Sequence, residues 1–303
     1  MFIIKYKKIF FTITATLVLA SLISIFTFGL NYSIDFNGGA IIELEYTGDR
    51  PALSTLDERA KTEGLGNVLI QETGSKGLIV RTEKLKDAEH IKLLRVLSLD
   101  NTVQLQEKRF NTVGPIVGEE LKKKAWVALA VVVVTIILFI AFAFRKVSEP
   151  VSSWKYGLIA IVALIHDIII PTGVFAFLGS MFIEFQIDIL FVMALLAILG
   201  YSVNDTIVVF DRIRENLKKN KEEHTHKEFS ETVGKSLRET YARSINTSFT
   251  TLLVLLVLYF IGGVATQQFA LTLAIGVVAG TYSSVFLASP LLVVAERLFV
   301  RRK

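Results

Sequence analysis

The sequence contains no cysteine, and its histidines are few. Without thiols the chain can form neither a disulfide nor a thiolate metal site, and it lacks a cysteine nucleophile. The four histidines, His90, His166, His224 and His226, are too scattered along the chain for a zinc site. Charge is also missing from long stretches, although charged residues make up 20% of the whole. These absences exclude a disulfide-stapled fold, and we expect no metal site.

The composition is that of an integral membrane protein. Apolar residues make up 52% of the 303 residues, more than the roughly 45–50% of soluble domains, which excludes a soluble single-core fold. A spanning helix needs about 20 mostly apolar residues, and six stretches meet that need. The predicted spans are 9–30 (within an N-terminal segment 1–30), 125–144, 156–178, 187–210, 245–263 and 269–295. The first run is too long for a cleavable signal peptide, so we expect it to remain as an anchor.

Lysine and arginine are distributed unevenly between the connections. They are concentrated in the N-terminus, 145–155, 211–243 and the tail 296–303, and are absent from 179–186 and 262–268. The positive-inside rule therefore predicts that both termini are cytoplasmic and that the near-neutral segment 31–124 is extracytoplasmic. The net charge of +5 belongs to the cytoplasmic rim, where it favours contact with anionic membrane lipids. No nucleic acid is needed to explain it.

Residues 31–124 are long enough to fold as a separate domain. Two-residue apolar spacing occurs at 42–46, 78–80 and 103–105, and helical spacing occurs at 53–60 and 91–97. The turn Gly74-Ser75-Lys76-Gly77 is predicted to join 78–80 to a further strand before it. The resulting order of strand, helix, strand, strand, helix, strand is typical of a ferredoxin-like fold. The predicted fold class is thus a six-helix membrane protein with a small α+β extracytoplasmic domain between the first two helices. Because this fold specifies no function, a platform that binds a passing chain and a simple spacer both stay open.

A glycine pair stands at the entry to this domain, in Asp35-Phe36-Asn37-Gly38-Gly39. Paired glycines permit positive φ and a sharp turn, so Asp35, Gly38 and Gly39 are predicted to form a turn motif. A phosphate-binding loop is disfavoured, because neither a Walker lysine nor a following helix accompanies the glycines.

Asp205 is the best-placed charge within a predicted span. A carboxylate near the bilayer centre costs about 2.5–3.5 kcal/mol on insertion scales, so we expect it to have a function. At 1.5 Å per residue it lies about 9 Å inside the boundary marked by Asp211. Tyr201 and Ser202 share its helix face, and Asn204 is adjacent. This polar stripe predicts a site that faces other helices, ions or water rather than lipid.

His166 and Asp167 lie about 16 Å inside the third predicted span, near its middle. Pro171 follows one turn later and leaves the carbonyl of Asp167 without its donor, which predicts a local opening of the helix. Together with Asp205, these two side chains are candidates for proton or ion exchange inside the membrane.

Arg243 begins the fifth predicted span, and two interpretations of it stay open. An arginine at such a boundary commonly extends its guanidinium to the headgroups. Alternatively, it pairs with Asp205, which is predicted at a similar depth. Further supporting polar residues are Asn246 and Thr247 in the fifth span and Tyr282 and Ser283 in the sixth.

Two further patterns concern packing. Gly276, Gly280 and Ser284 recur at four-residue spacing in the sixth span, which allows another helix to approach closely. Apolar residues also recur every four residues in 229–241, between lysines, arginines and glutamates. This stripe predicts an amphipathic helix on the membrane surface, within the cytoplasmic loop 211–243.

The two intramembrane aspartates raise the alternative of an aspartyl protease, which needs two carboxylates that share a proton at about 3 Å. Asp167 and Asp205 are predicted at different depths, and neither directly follows a glycine. We therefore expect no catalytic residue, no enzyme activity and no cofactor beyond a coupling ion.

Several segments of the chain resemble the SecF family of bacterial protein-export subunits. The most specific segment runs from Gly200 to Glu215 and includes Gly200-Tyr201-Ser202-Val203-Asn204-Asp205. The other segments are 35–39, 113–118, 163–167, 243–248 and 280–284. The resemblance therefore covers nearly the whole chain. Asn37 stands where the family more often has threonine, which leaves the turn-forming glycines in place.

The resemblance implies one half of a pseudo-symmetric twelve-helix assembly, completed by SecD and related to resistance-nodulation-division (RND) exporters. It implies that Asp205 is the protonated group, that Arg243 is its charge partner, and that His166 and Asp167 belong to the same relay. It also implies residence in the bacterial cytoplasmic (inner) membrane. The implied partners are a SecD-like subunit in a heterodimer, the Sec translocation channel, other accessory subunits and the exported unfolded polypeptide.

The function implied by the resemblance is to aid late steps of polypeptide export with the proton or sodium motive force. An aspartate with neighbouring hydroxyls suits either ion. An RND-type exporter of small molecules or lipids is an alternative, which would need a substrate cavity. A structural subunit without an ion path is a third possibility.

Overall fold

The computed structural model describes residues 2–66, 68–82, 85, 87–143, 153–182, 185–225 and 227–300. It divides into two compact units. The helical unit comprises Met1–Leu30, Ala128–Met181 and Leu190–Lys303, and the α+β unit comprises Asn31–Val127 and Phe182–Ile189. Residue Phe144 of the second predicted span, the connection 145–152, His226 and residues 301–303 of the tail lie outside the described residues.

The chain is mostly helical. In chain order its elements are α1 Phe2–Lys5, α2 Lys7–Phe28, α3 Ile34–Asn37, β1 Gly39–Tyr46, α4 Leu53–Thr62, β2 Val68–Thr73, β3 Gly77–Thr82, α5 Asp87–Leu97, β4 Leu105–Val113, α6 Pro115–Ala143, α7 Ser153–Met181, α8 Ile189–Glu222, α9 Phe229–Ile261, α10 Val264–Tyr282, a π-helical segment Ser283–Ala288, and α11 Ser289–Val300. Six helices in the described part of the chain are long and apolar enough to cross a membrane. One of them, Thr266–Arg297, consists of α10, the π-helical segment and α11 in continuous succession. The prediction of six spans is confirmed.

Helix α6 begins ten residues before the predicted start of the second span. Pro115 opens the helix, a position that suits proline because its missing N–H would have no helical partner. The charged residues that follow remain helical through ion pairs one turn apart, Lys123 with Glu119 at 3.0 Å and Lys124 with Glu120 at 2.8 Å. The charged residues therefore mark where the apolar stretch begins, whereas the helix itself begins earlier, at Pro115.

The predicted loop 211–243 is a helical hairpin. Helix α8 continues to Glu222 and α9 begins at Phe229, so no separate surface helix lies between them. The apolar stripe of Phe229, Val233 and Leu237 is buried in one cluster with residues of α8, including Ile213. The stripe therefore packs on the neighbouring helix rather than on a membrane surface, because that contact removes it from water on all sides.

The α+β unit has the predicted ferredoxin-like element order. Its four strands form an antiparallel sheet in the order β2-β3-β1-β4, with Ile42 opposite Val80 and Phe110. The core of this unit contains Ile42, Leu44, Tyr46, Leu56, Ala60, Leu78, Val80, Leu93 and Leu97. On α5 the buried face carries Leu93 and Leu97, whereas Ile91 is 68% exposed.

Candidate functional site

Close helix packing in the helical unit depends on small residues. A Cβ atom on Gly276 would overlap the side chain of Ile198, and one on Gly280 would lie 3.0 Å from Cβ of Ser202. Helices α10 and α8 therefore touch through the predicted small-residue stripe, with no room for a larger side chain. A Cβ on Gly173 of α7 would likewise overlap Ser21 of α2, whose neighbour Ser24 donates to the Gly173 carbonyl at 2.8 Å.

Asp167 of α7 is completely buried and fully hydrogen-bonded. Its Oδ1 lies 2.8 Å from Nδ1 of His166. Its Oδ2 accepts a bond from Ser202 of α8 and a second from Ser283 of the π-helical segment, the latter at 2.9 Å. A single carboxylate thus joins three helices, and four of the predicted site residues meet here.

His166 lies on the apolar side of this group. Its ring stacks on Tyr282 with centroids 6.1 Å apart, and the Tyr282 hydroxyl donates to the Phe10 carbonyl at 2.9 Å. The Nε2 atom of His166 is buried and has no hydrogen-bond partner within the described part of the chain. The ring borders a cavity of about 390 Å³, whose other lining residues are Leu17, Ile170, Leu252, Ala274, Ile275, Val278, Ala279 and Tyr282.

Asp205 follows Ser202 by three residues on α8, about 4.5 Å along the helix axis. Its Oδ1 accepts a hydrogen bond from Ser244 of α9 at 2.6 Å. Its Oδ2 is buried and has no hydrogen-bond partner among the described residues. The adjacent Thr206 shares a bond of 2.8 Å with Ser284 of the π-helical segment. Asp205 therefore differs from Asp167, because one of its two carboxylate oxygens is unsatisfied.

Of the two interpretations of Arg243, the ion pair with Asp205 is not formed in this structure. No nitrogen of Arg243 lies within 4.0 Å of the Asp205 oxygens, both residues being described, and Arg243 is exposed. The reason is helical geometry: Ser244 faces α8, and successive residues of a helix differ by about 100° in direction. Asn204, Asn246 and Thr247, predicted as supporting residues, are also exposed.

A series of hydroxyl groups also links α8, α9 and α10, about one turn of helix away from Asp205. Tyr201 donates to Ser248 of α9 at 3.0 Å, and the hydroxyls of Ser248 and Thr281 are 2.5 Å apart. Ser244 and Ser248 were absent from the predicted site. Their four-residue spacing on α9 is the signal that marks them, since it places both on the face toward α8.

The π-helical segment was not predicted either. It supplies Ser283 to Asp167 and Ser284 to Thr206, and the hydroxyl of Ser289 donates to the Ser284 carbonyl at 2.9 Å. Single-turn π segments within α-helices occur frequently at functional sites. Pro290, which cannot donate a backbone hydrogen bond, lies two residues after the end of the segment.

The glycine motif lies in the α+β unit. Gly38 and Gly39 have φ of 78° and 144°, as the predicted turn requires. A Cβ on Gly38 would lie 2.9 Å from the Pro115 backbone. Asp35 belongs to the short helix α3, and its Oδ2 accepts a hydrogen bond from the Ile189 amide at 3.2 Å. The described residues contain no cluster of three histidines or carboxylates that could hold a metal ion.

Six apolar helices, a hydrogen-bonded carboxylate network inside them and a ferredoxin-like unit define a multi-pass membrane protein of the RND-like fold. Residues 95–297 match the family model described as protein export membrane protein SecD/SecF, C-terminal, and residues 23–49 match the SecD/SecF GG motif. The chain therefore belongs to the SecF family of bacterial protein translocase subunits.

Relatives and a solved structure support this membership over nearly the whole of this chain. Protein translocase subunit SecF of Thermobaculum terrenum is 38% identical over 96% of this chain and 92% of that protein. The SecF subunit of Desulfurispirillum indicum is 39% identical over 93% of this chain and 87% of that protein. The crystal structure of SecDF, a translocon-associated membrane protein from Thermus thermophilus, superposes with a TM-score of 0.82 at 33% identity. The superposition covers 97% of this chain and 38% of that SecDF chain.

Proposed function

We propose that this chain uses the proton motive force to aid late steps of polypeptide export across the bacterial cytoplasmic membrane, as the SecF-like subunit of a Sec accessory complex. Family membership supports the role in export. The observation that carries the ion-coupled role is the carboxylate of Asp205, which has one oxygen bonded to Ser244 and the other buried without a partner. An unsatisfied carboxylate inside an apolar helix bundle is costly unless it binds a cation.

The coupling cation in this proposal is a proton. A proton requires only the free Oδ2 atom of Asp205, whereas Na⁺ requires a shell of several oxygen ligands. No hydrogen bond from the described residues occupies that atom, so a proton can be added to it directly. Asp167, by contrast, has both oxygens bonded and serves to hold α7, α8 and the π-helical segment together.

Protonation of Asp205 would act on the contact between α8 and α9. A neutral carboxyl attracts the Ser244 hydroxyl less strongly than a carboxylate does, and it has no net attraction for the charge of Arg243. The two helices then have two arrangements, and the ion gradient selects between them. Because α10 is in close contact with α8 through Gly276 and Gly280, the π-helical segment moves with α8.

The partners follow from the polar face that this chain leaves uncovered. Arg243, Asn246, Thr247 and Thr250 are exposed on α9, and polar groups that face lipid are unfavourable. We propose that a SecD-like subunit covers this face in a heterodimer. This chain is 38% identical to SecDF of Thermus thermophilus and covers 36% of it. In this proposal, the remaining part of that longer chain corresponds to the SecD-like subunit. The Sec channel, other accessory subunits and the exported polypeptide complete the proposed partners, with both termini cytoplasmic.

The variant Asp205→Asn tests the proposal. Asparagine keeps the shape and can still accept from Ser244, but it cannot bind a proton, so we expect the proton-stimulated part of export to fall to the rate seen with a protonophore. Export of a radiolabelled precursor into inverted membrane vesicles, with equal amounts of the subunit, measures this.

Asp211→Asn is the matched control, because Asp211 lies on the same helix in an exposed ion pair with Arg214 at 3.1 Å. Proton-stimulated export that is unchanged in Asp205→Asn contradicts the proposal. Stimulation that disappears when Na⁺ is replaced by K⁺ contradicts the choice of the proton.

A further inference from the structure

The first residue of helix α8 is capped by a side chain from a distant part of the sequence. The backbone amide of Ile189 donates to Oδ2 of Asp35 at 3.2 Å, across 154 positions of sequence. The first four amides of a helix have no partner within the helix, and a carboxylate there also interacts favourably with the helix dipole. Asp35 therefore stabilises the beginning of α8 from the glycine motif of the α+β unit.

Backbone hydrogen bonds strengthen the same contact. The Ile187 amide donates to the Asn31 carbonyl at 2.7 Å, and the Ser33 amide donates to the Ile187 carbonyl at 3.0 Å. Tyr32 and Ile187 form a parallel β-bridge, and Ile187 is buried. All of these residues belong to the α+β unit. The residues that lead into α8 are thus held by the segment 31–35 through three hydrogen bonds.

The segment that holds α8 is itself fixed by a hydrogen bond and by close packing. Ser33 caps the short helix α3 by accepting from the Asp35 amide at 3.2 Å. A Cβ on Gly118 would lie 2.9 Å from the Phe36 carbonyl oxygen, so α6 packs directly against this turn. Strand β1 begins at Gly39, four residues after Asp35. Because Asp35 is separated from the central strand β1 by only three residues, we expect a displacement of Asp35 to displace β1.

Helix α8 connects this contact to Asp205 without a break. It runs from Ile189 to Glu222 and contains no proline. Asp205 lies 16 residues after Ile189, about 24 Å along the axis. Proline, a common cause of a sharp helix kink, is therefore absent from the path between the two residues.

From this geometry we infer that Asp35 is a positioning residue that couples α8 to the α+β unit. This inference rests on the proposed function, because it requires α8 to move when Asp205 changes its protonation. The capping bond from Asp35 holds the N-terminus of the moving helix to the start of β1. A movement of α8 then displaces the sheet as well. Without this bond, the connection before Ile189 would change its conformation and the sheet would stay in place.

The absence of cysteine allows a direct test with two spin labels. One label is placed at Ile91→Cys on α5 and the other at Met181→Cys at the end of α7, where the side chains are 68% and 61% exposed. The full chain is reconstituted with its SecD-like partner in lipid nanodiscs, and the distance distribution is measured by pulsed electron resonance. The substitution Asp205→Asn mimics the protonated state and is expected to shift this distribution.

Asp35→Ala removes the cap and is expected to abolish that shift and to lower proton-stimulated export about fivefold. Asp35→Asn keeps an acceptor oxygen and should restore both the shift and export, which a loss of folding or of charge alone would not do. Asp49→Ala is the matched control, an exposed aspartate of the same unit.

If Asp205→Asn still shifts the distance distribution in a chain that also carries Asp35→Ala, the inference is overturned and the proposed function stands. Failure of Asp35→Asn to restore the shift also overturns it. If Asp205→Asn produces no shift with Asp35 intact, the proposed function fails and the inference fails with it.

Discussion

At the scale of residues, identical side chains have different properties because their hydrogen-bond partners differ. Asp167 and Asp205 are both aspartates in apolar helices, yet the first has every oxygen bonded and the second has one oxygen without a partner. A buried group with all partners present contributes rigidity, whereas one that lacks a partner has a reason to bind an ion. Sequence position could not separate the two residues, since their partners come from α8, α9 and the π-helical segment.

A second residue-scale contrast lies in the α+β unit. Tyr46 is buried and donates to the Leu97 carbonyl at 2.8 Å, and burial raises the pKa of its hydroxyl to about 12. Asp100 lies at the surface, where the Arg59 guanidinium donates to it at 2.7 Å and lowers the pKa of its carboxyl, with a further contribution from Arg95. Their effects on stability therefore appear at opposite ends of the pH scale.

We predict that the α+β unit loses stability in acid through Asp100. Because its pKa is lower in the folded than in the unfolded state, its contribution is complete above the unfolded pKa of about 3.9 and is lost as pH falls through the folded value. Asp100→Asn should remove this part of the acid dependence while keeping the backbone, since asparagine tolerates the positive φ of 59°.

Hydrogen exchange of α5 peptides in the full chain, corrected for intrinsic rates, measures the effect between pH 3 and pH 7. Asp49→Asn, which changes an exposed carboxylate, serves as the control. An acid dependence that is equal in the parent chain and in Asp100→Asn would argue against the prediction.

At the scale of elements, helix contacts rather than single side chains determine how the bundle is held together. The small residues of α10 allow it to pack directly against α8, and the hairpin of α8 and α9 extends this packing beyond the apolar stretch through Asn216, which donates to Ser236 at 2.9 Å. The π-helical segment turns Ser283 and Ser284 toward α7 and α8 respectively. The network around Asp167 depends on α7, α8 and the π-helical segment being in place.

We predict that Gly276→Ala destabilises the helical unit by about 1–3 kcal/mol, the usual cost of overpacking. The added methyl group would overlap Ile198, and Ile198→Ala in the same chain should restore much of the stability by making room. Thermal unfolding in mild detergent measures both variants.

Gly200→Ala is the control for the general effect of replacing glycine in a helix, because no atom lies within 4 Å of a Cβ at Gly200. That variant should be neutral or slightly stabilising. Equal stability of Gly276→Ala and Gly200→Ala would mean that the contact between α10 and α8 is looser than described.

At the scale of the whole molecule, the polar residues that this chain leaves exposed point to an assembly. Arg243, Asn204 and Asn246 lie on α8 and α9, within or next to the predicted apolar spans, and all three are exposed. Such groups require water or a partner within a membrane. The exposed position of Arg243, for which an ion pair with Asp205 was one of two interpretations, is explained if its partner lies on the second subunit.

We predict a one-to-one complex with a SecD-like subunit. Native mass spectrometry from mild detergent should detect this chain, of 33.7 kDa, together with one copy of the second subunit. Arg243→Leu should weaken the complex, whereas Lys218→Leu, at an exposed site of the α8 extension, should not. A chain that remains alone when both subunits are expressed together would contradict this prediction.

Much of the architecture could be predicted from the sequence because it depends on local patterns. Six apolar stretches predict six helices, and the alternation of strand and helix spacing in 31–124 predicts the order of the α+β unit. Predictions failed where a tertiary contact overrides the pattern. The stripe beginning at Phe229, which was predicted to lie on the membrane surface, packs on α8 instead.

The sequence by itself determined that this is a six-helix membrane protein with a small α+β unit, and it identified Asp205, Asp167 and His166 as polar groups that require partners. It determined these points because hydrophobic period and buried charge are properties of a single segment. Only the tertiary structure decided which partners they have: Ser244 instead of Arg243 for Asp205, and Ser202 and Ser283 for Asp167. Hydrogen bonds reach about 3 Å, so they depend on how helices rotate and pack against one another.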